Sequence, residues 1–173
     1  MGLLHIYCGD GKGKTTAAVG LAVRAAGAGM RVHIIQLLKG SDSAETAVLR
    51  SIPGITLERC DRNYGFLWNM TDMDKAAITE CHNTLLEKGY SLVRSGKVDM
   101  LIIDEFNAAY GLGLLDRAEA ERFLMEKPGS AELIITGRDP AETFVNCADY
   151  VSEIKCVKHP YERGITARRG IEY

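Results

Sequence analysis

Gly9-Asp10-Gly11-Lys12-Gly13-Lys14-Thr15-Thr16 is the stretch of this sequence best suited to grip a polyphosphate. The apolar run Leu3-Leu4-His5-Ile6-Tyr7 before it reads as a buried strand, and the Ala-, Leu- and Val-rich stretch from Lys14 to about Ala28 reads as a helix. Strand, glycine loop, Gly-Lys-Thr and helix, in that order, make a phosphate-binding loop. Glycines let several N–H groups turn into one concavity at the positive end of the helix dipole. Lys14 would reach phosphate oxygens, and the Thr15 hydroxyl would supply a ligand to Mg2+. The strict pattern places glycine where this chain has Cys8. Gly9 and Gly11 give a tighter spacing, and Lys12 adds a cation inside the loop. The competing reading is an ordinary glycine-rich strand-to-helix turn.

Two carboxylates form the second group. Asp104 and Glu105 end the apolar run Met100-Leu101-Ile102-Ile103, as in a Walker B strand. One of them would hold magnesium opposite Thr15, directly or through water. Glu105 could polarise a water or an acceptor hydroxyl. Arg138, just past the strand Glu132 to Thr136, could reach the same phosphates. A solvated acidic strand end and a surface arginine are the bland alternatives. These parts alone say nucleotide-binding enzyme and leave the reaction open.

The elements that must position these groups alternate. Strands are expected near Leu3–Tyr7, Arg31–Leu37, Ile55–Arg59, Val98–Glu105, Glu132–Thr136 and Tyr150–Val157, the last at a sheet edge. Between them fall helices from Lys14, from Glu45 to Ser51, from Thr71 to about Ser95, and from Asp116 to Lys127. Thr71 and Asp74 resemble a capping box, with Met73, Ala77, Cys81, Leu85 and Val93 as the apolar stripe and Gly89 as a weak point. Asp139-Pro140-Ala141-Glu142 reads as a helix start capped by Asp139. Lys39 to Ser43 is a polar loop, Tyr64 to Trp68 an aromatic loop, and Pro128-Gly129 a break. Such alternation predicts an α/β fold: a P-loop NTPase-like (RecA-like), mainly parallel sheet with helices on both faces, in one domain over 1–173.

Composition bounds the partners. With 46% hydrophobic and 25% charged residues and a formal charge of −2, the chain gives no sign of a surface for nucleic acid or membrane, and basic residues are locally dense only in the last sixteen positions. No apolar run is long enough to span a bilayer, and the glycine-rich start is unlike a signal peptide. Five cysteines without a C-x-x-C pair argue against a disulfide framework and against structural zinc. Idle thiols in a reducing cytoplasm are the expectation.

The whole ordered set of motifs resembles the P-loop-type ATP:corrinoid adenosyltransferases. The resemblance runs through Gly9 to Thr16, Arg24-Ala25-Ala26-Gly27, Gln36-Leu37-Leu38-Lys39-Gly40 and Gly65-Phe66-Leu67-Trp68. It continues through Asp104-Glu105, Thr136-Gly137-Arg138, Val157-Lys158-His159-Pro160-Tyr161, Gly164-Ile165 and Gly170-Ile171-Glu172-Tyr173. It implies that a reduced corrinoid, with cobalt as Co(I), attacks the ribose C5′ of ATP and that triphosphate leaves. Cobalamin and an earlier corrinoid such as cob(I)yrinic acid a,c-diamide both remain open as acceptor. Lys12, Lys14, Glu105 and Arg138 would carry catalysis. Gly9 to Thr16, Arg24 and Arg138 would bind ATP, held reversed in the loop. Thr15, Asp104 and Glu105 would hold Mg2+. Phe66 and Trp68 would lie against the lower face of the corrin and displace its axial ligand, easing reduction of Co(II). The resemblance also implies a homodimer and a flavoprotein reductant, and several relatives carry a helical N-terminal extension where this sequence starts almost directly at its first strand. A nucleoside kinase or ATPase on the same loop, and a nucleotide-gated corrinoid carrier without chemistry, are the alternatives.

Overall fold

The computed structural model describes residues 2–39, 44–60, 69–127 and 129–171. Phe66, Trp68, the rest of the expected aromatic loop, Gly40 to Ser43, Pro128 and the final Glu172-Tyr173 lie outside the described residues.

Six strands are described: β1 (Leu4–Cys8), β2 (Val32–Gln36), β3 (Ile55–Arg59), β4 (Met100–Asp104), β5 (Glu132–Thr136) and β6 (Tyr150–Glu153). They form one sheet in the order β3-β2-β4-β5-β1-β6, and every described pairing is parallel. The helices are α1 (Lys14–Gly27), α2 (Ala44–Ser51), α3 (Asp72–Arg94), α4 (Phe106–Gly111), α5 (Arg117–Glu126) and α6 (Glu142–Cys147). A 3-10 turn, Pro160–Arg163, lies in the exposed tail. β5 separates the glycine-loop strand β1 from the carboxylate strand β4, the RecA-like arrangement.

Parallel strands covered on both faces are apolar throughout, and β2 and β4 are buried at all five positions. Alternate residues then divide between two cores. Ile34, Ile102 and Ile134 face α1 and α2, with Ala18, Ala22, Ala25 and Leu49. Ile35, Leu101, Ile103, Leu133 and Ile135 face the opposite layer, with Leu86, Tyr90, Phe106, Phe123 and Phe144. The alanine stripe on α1 lets that helix lie close to the sheet. β6 is exposed along its whole length and forms an edge, as expected.

Four local expectations need correction. The buried stripe of α3 is Ile78, His82, Leu86, Gly89, Tyr90 and Val93: Val93 is buried as expected, the positions Ala77, Cys81 and Leu85 give way to their next neighbours, and Met73 is exposed. The capping box at Thr71 and Asp74 is present, so the cap was legible where the face was not. Gly89 is no weak point: a Cβ there would stand 2.7 Å from Ile35 Cδ1, so glycine lets α3 lie against the sheet. Asp139 does not cap α6, whose N-cap is Ala141 without a side-chain bond; Asp139 instead turns with φ 49°. Finally, Cys60 and Cys81 form a disulfide between the end of β3 and α3, with Cα atoms 6.1 Å apart. Counting cysteines could not reveal this, because an odd total leaves thiols over without saying which two the fold brings together. Cys8, Cys147 and Cys156 are free.

Candidate active site at the carboxyl ends of the strands

In an open parallel sheet the crevice for ligands lies beyond the carboxyl ends of the strands. All the described candidate groups except Arg24 cluster there. Cys8 is the last residue of β1 and is buried in the core, which explains why this chain manages without glycine at that position. The loop begins one residue later, at Gly9 (φ 99°), and ends at Gly13 (φ 122°), the N-cap of α1. A side chain at Gly9 would stand 2.4 Å from the Ile154 carbonyl oxygen, and one at Gly11 would be 2.7 Å from it. The back of the loop is pinned to the segment after β6: Gly11 N–H donates to the Ile154 carbonyl at 2.8 Å, and Cys156 N–H donates to Asp10 Oδ1 at 3.0 Å. Asp10 therefore braces the loop from behind, and that bond holds its carboxyl below the usual range.

Lys14 folds back over the loop, its Nζ donating to the carbonyls of Gly9 (2.8 Å) and Gly11 (2.9 Å). Thr15 follows, and its hydroxyl donates to Asp104 Oδ1 at 2.8 Å. Thr16 and Lys12 are exposed at the loop.

Asp104 is buried at the end of β4. Its Oδ1 accepts from both Thr15 and Thr136 Oγ1, the latter at 2.7 Å. Its Oδ2 accepts no aligned hydrogen bond, although Lys39 Nζ stands 3.0 Å away as an ionic contact. Glu105 follows in the left-handed region, φ 60° and ψ 22°, as the N-cap of α4, with its N–H donating to Thr136 Oγ1 at 3.0 Å. A non-glycine residue there costs roughly 1–3 kcal/mol and is retained where the surroundings over-determine it. Burial, followed by the Asp104 charge, pushes the Glu105 carboxyl up; Lys39, Lys14 and Arg138 pull it down. Those three cations follow β2, the glycine loop and β5, and their charges act on one carboxylate.

Arg138 is exposed just past β5, near enough for its charge to act on both Glu105 and Asp10. Gly137 (φ 132°) makes that turn possible, since a Cβ would meet Asn107 Cβ at 3.0 Å. Arg24 is not brought into the cluster. It sits exposed in the last turn of α1, where its charge reaches Tyr7. Ten residues of helix put it roughly 15 Å along the axis from Lys14.

Several contributors were not singled out from sequence as site residues: Thr136, Lys39, Gln36 and Asn107. Thr136 and Lys39 lie within strand-end motifs but nothing in their types marked a partner. Gln36 and Asn107 are buried, with Gln36 Oε1 and Asn107 Oδ1 lacking hydrogen-bond partners. A polar residue ending an apolar strand, as Gln36 does, was the available signal.

The donors suit a small hard cation. Asp104 Oδ2 is a buried oxygen with no aligned donor, the Thr15 hydroxyl lies beside the same carboxylate, and a polyphosphate in the loop would bring further oxygens. Mg2+ is held by one or two carboxylate or hydroxyl groups plus substrate phosphates and water. Among the described residues no cluster of three His, Cys, Asp or Glu forms an all-protein metal cage.

A family model described as ATP:corrinoid adenosyltransferase BtuR/CobO/CobP matches residues 1–173. A corrinoid adenosyltransferase of a Sinorhizobium species is 33% identical over 174 residues, covering 99% of this chain and 80% of its own length. Corrinoid adenosyltransferase CobA of Salmonella typhimurium (strain LT2) is 32% identical, over 99% of this chain and 86% of that protein. The corrinoid adenosyltransferase of Escherichia coli (strain K12) is also 32% identical, with the same coverage. Among solved structures, the cytoplasmic domain of EssC aligns with a TM-score of 0.54 at 17% identity, over 96% of this chain and 34% of that one. EssC (ATPases 2 and 3) from Geobacillus thermodenitrificans aligns with a TM-score of 0.52 at 13% identity, over 99% and 36%. The chain spans about a third of those solved chains, and at such identities the likeness concerns the fold alone. With the family model and the full-length relatives in agreement, the chain belongs to the ATP:corrinoid adenosyltransferase family BtuR/CobO/CobP.

Proposed function

We propose that this chain, acting as one domain over 1–173, transfers the 5′-deoxyadenosyl group of ATP to the Co(I) centre of a corrinoid and releases triphosphate. The observation that carries the reading is the convergence of Lys14, Lys39 and Arg138 on the Asp104–Glu105 pair beside a phosphate loop. Membership of the adenosyltransferase family across the whole chain supports the choice of reaction.

The Co(I) electron pair forms the Co–C5′ bond while the C5′–O bond breaks, and its electrons leave on the triphosphate. No general base is needed, because the nucleophile is already deprotonated and electron-rich. The protein must hold two ligands in line, which can contribute roughly 7–11 kcal/mol, and meet the charge that develops on the leaving group. Gly9 to Thr16 cradle the phosphates, with Lys12, Lys14 and Arg138 supplying positive charge. Thr15 and Asp104 would hold Mg2+, with Glu105 beside them; the ion supplies further positive charge to the leaving oxygens. Arg24, remote from this cluster, is assigned to ATP only through the resemblance. Phe66 and Trp68 are assigned to the corrin face on the same basis. A homodimer, a flavoprotein reductant and a cytoplasmic location belong to the same proposal. In that compartment thiol reductants would act on the Cys60–Cys81 bond. Among the described residues, no helix is long and apolar enough to cross a membrane.

Incubation with ATP, Mg2+ and a chemically reduced corrinoid tests the reading. A Co–C bond in the corrin spectrum and stoichiometric triphosphate are expected; ADP with a phosphorylated acceptor, or unchanged ATP, would overturn it. Phe66→Ala and Trp68→Ala should cripple turnover from Co(II) far more than turnover from supplied Co(I). Equal losses from both starting states would refute the role given to the aromatic pair.

A further inference from the structure

The Lys39 ammonium touches the carboxylate proposed above to hold the metal. Its Nζ stands 3.0 Å from Asp104 Oδ2 and 3.6 Å from Glu45 Oε1, and its side chain is only 24% exposed. Asp104 Oδ1 is already occupied by two hydroxyl donors, so Oδ2 is the oxygen left for a cation. The Lys39 ammonium lies against that oxygen.

The turn that aims Lys39 is deliberately held. Leu38, the preceding residue, sits at φ 56°, a left-handed conformation that a leucine adopts at a cost. The Leu38 N–H donates to His82 Nε2 at 3.3 Å, and His82 Nδ1 donates to the Leu114 carbonyl at 2.8 Å. One tautomer, with hydrogen on Nδ1, satisfies both bonds. His82 is fully buried on α3, and burial holds its pKa down, so the ring stays neutral. Leu37 N–H also donates to the Asp104 carbonyl at 3.1 Å, which locks the end of β2 to the end of β4. Backbone strain, a buried imidazole and a carboxylate thus act together to put one ammonium beside Oδ2.

We propose that Lys39 is a further charge-stabilising residue of the adenosyl-transfer site: it neutralises Asp104 through Oδ2, gives up that oxygen to a divalent cation, and then pairs with the triphosphate. This rests on the function proposed above. The ammonium cannot share Oδ2 with a divalent ion, since two cations at hydrogen-bond range repel each other. Released from Asp104, Lys39 stays on the same rim as Lys14, within a side chain's reach of the loop. It then adds a positive charge where negative charge leaves, and Asp104 is never left as a buried, unpaired carboxylate.

The test uses Lys39→Met and Lys39→Arg in the full chain, with three readouts. Mn2+ binding to the nucleotide-free protein, followed by electron paramagnetic resonance, should tighten roughly tenfold in Lys39→Met, because a competing cation is gone. Binding of inorganic triphosphate with Mg2+, followed by calorimetry, should weaken roughly tenfold in the same variant. Lys39→Arg should restore both toward wild type. A lysine that merely supported the fold would weaken both ligands together, so the opposite signs are the diagnostic. Unchanged Mn2+ affinity, or Mn2+ and triphosphate weakening together, overturns the proposal. Wild-type protein assayed alongside for the Co–C bond reports on the proposed reaction itself. Its failure there, with the opposite shifts intact, would remove the reaction while leaving Lys39 as the cation that competes with the metal.

Discussion

The two ends of the sheet are built from the same strands yet solve their turns in opposite ways. At the amino-terminal end, the chain enters β2, β3, β4 and β5 through Gly29, Gly54, Gly96 and Gly129, all with positive φ. Glycine accepts that conformation without steric cost. Several polar groups there are satisfied within the protein. Arg31 forms a two-pronged pair with Asp99, and Asp149 accepts from both Leu4 N–H and Lys127. At the carboxyl end, Leu38, Glu105 and Asp139 adopt positive φ with side chains in place, and Gln36 Oε1, Asp104 Oδ2 and Asn107 Oδ1 are buried without aligned donors. One end is optimised for folding. The other keeps strain and unmet hydrogen-bonding capacity, the usual state of a surface shaped for a ligand. The exceptions away from the carboxyl end are Lys127 at φ 44°, His33 Nε2 and Tyr90 Oη.

The largest test of this contrast pits one charge from each end. Lys14→Ala should lower the rate of adenosyl transfer by roughly 10²–10³-fold, the usual loss for one preorganised charge or donor at a leaving group. Arg31→Ala should leave turnover unchanged and barely move the urea unfolding midpoint, because the Arg31–Asp99 pair is exposed and screened. Comparable activity losses in both variants would erase the distinction. Next in size is the disulfide, which belongs to neither end's turns. Its separation of 21 residues predicts that reduction costs about 3 kcal/mol of stability. Calorimetric melting with and without a thiol reductant measures this, and identical melting would mean that the crosslink does not constrain the unfolded chain.

Glu105→Gly sharpens the comparison at a single residue. Glycine relieves the left-handed strain and removes a carboxylate that crowds Asp104, at some cost in unfolded-chain entropy. A net gain of about 1 kcal/mol in stability, with a fall in turnover, is expected. A loss of stability would show that the strained turn is not a cost borne for function.

How far all this was legible in the sequence depended on whether the cause was local. Gly9 to Thr16 and Asp104-Glu105 were readable because loop chemistry and strand ends are written in neighbouring residues. The capping box of α3 was readable for the same reason. The buried face of that helix was not. A histidine and a glycine at its centre carry no apolar signal, and both are buried for tertiary reasons, His82 to bond Leu38 and Leu114 and Gly89 to admit Ile35. Thr136 and Lys39 escaped notice because their roles exist only once β5 and β2 flank β4. The disulfide joins two residues that no local pattern relates. Short α4 was missed because its N-cap is the strained Glu105, which makes no side-chain capping bond.

The smallest expected effect concerns His82, the buried group that supports the strained rim. Burial lowers its folded pKa below 6.5, so the folded ring stays neutral where the unfolded one begins to take a proton. The unfolded state therefore binds more protons as pH falls through 6.5, and stability falls with it until the folded pKa is reached. Between pH 7 and pH 6, His82 alone accounts for up to ~0.7 kcal/mol by this linkage. His33, buried on β2 and shifted in the same direction, adds a similar contribution. Urea unfolding at the two pH values should show the combined loss, and His82→Gln should flatten about half of the slope while His33→Gln flattens the rest. The two variants separate the ends of the sheet once more. Losing His82 should loosen the Leu38 turn and so weaken triphosphate binding through Lys39, whereas losing His33, bonded to Thr56 far from the loop, should leave that binding untouched.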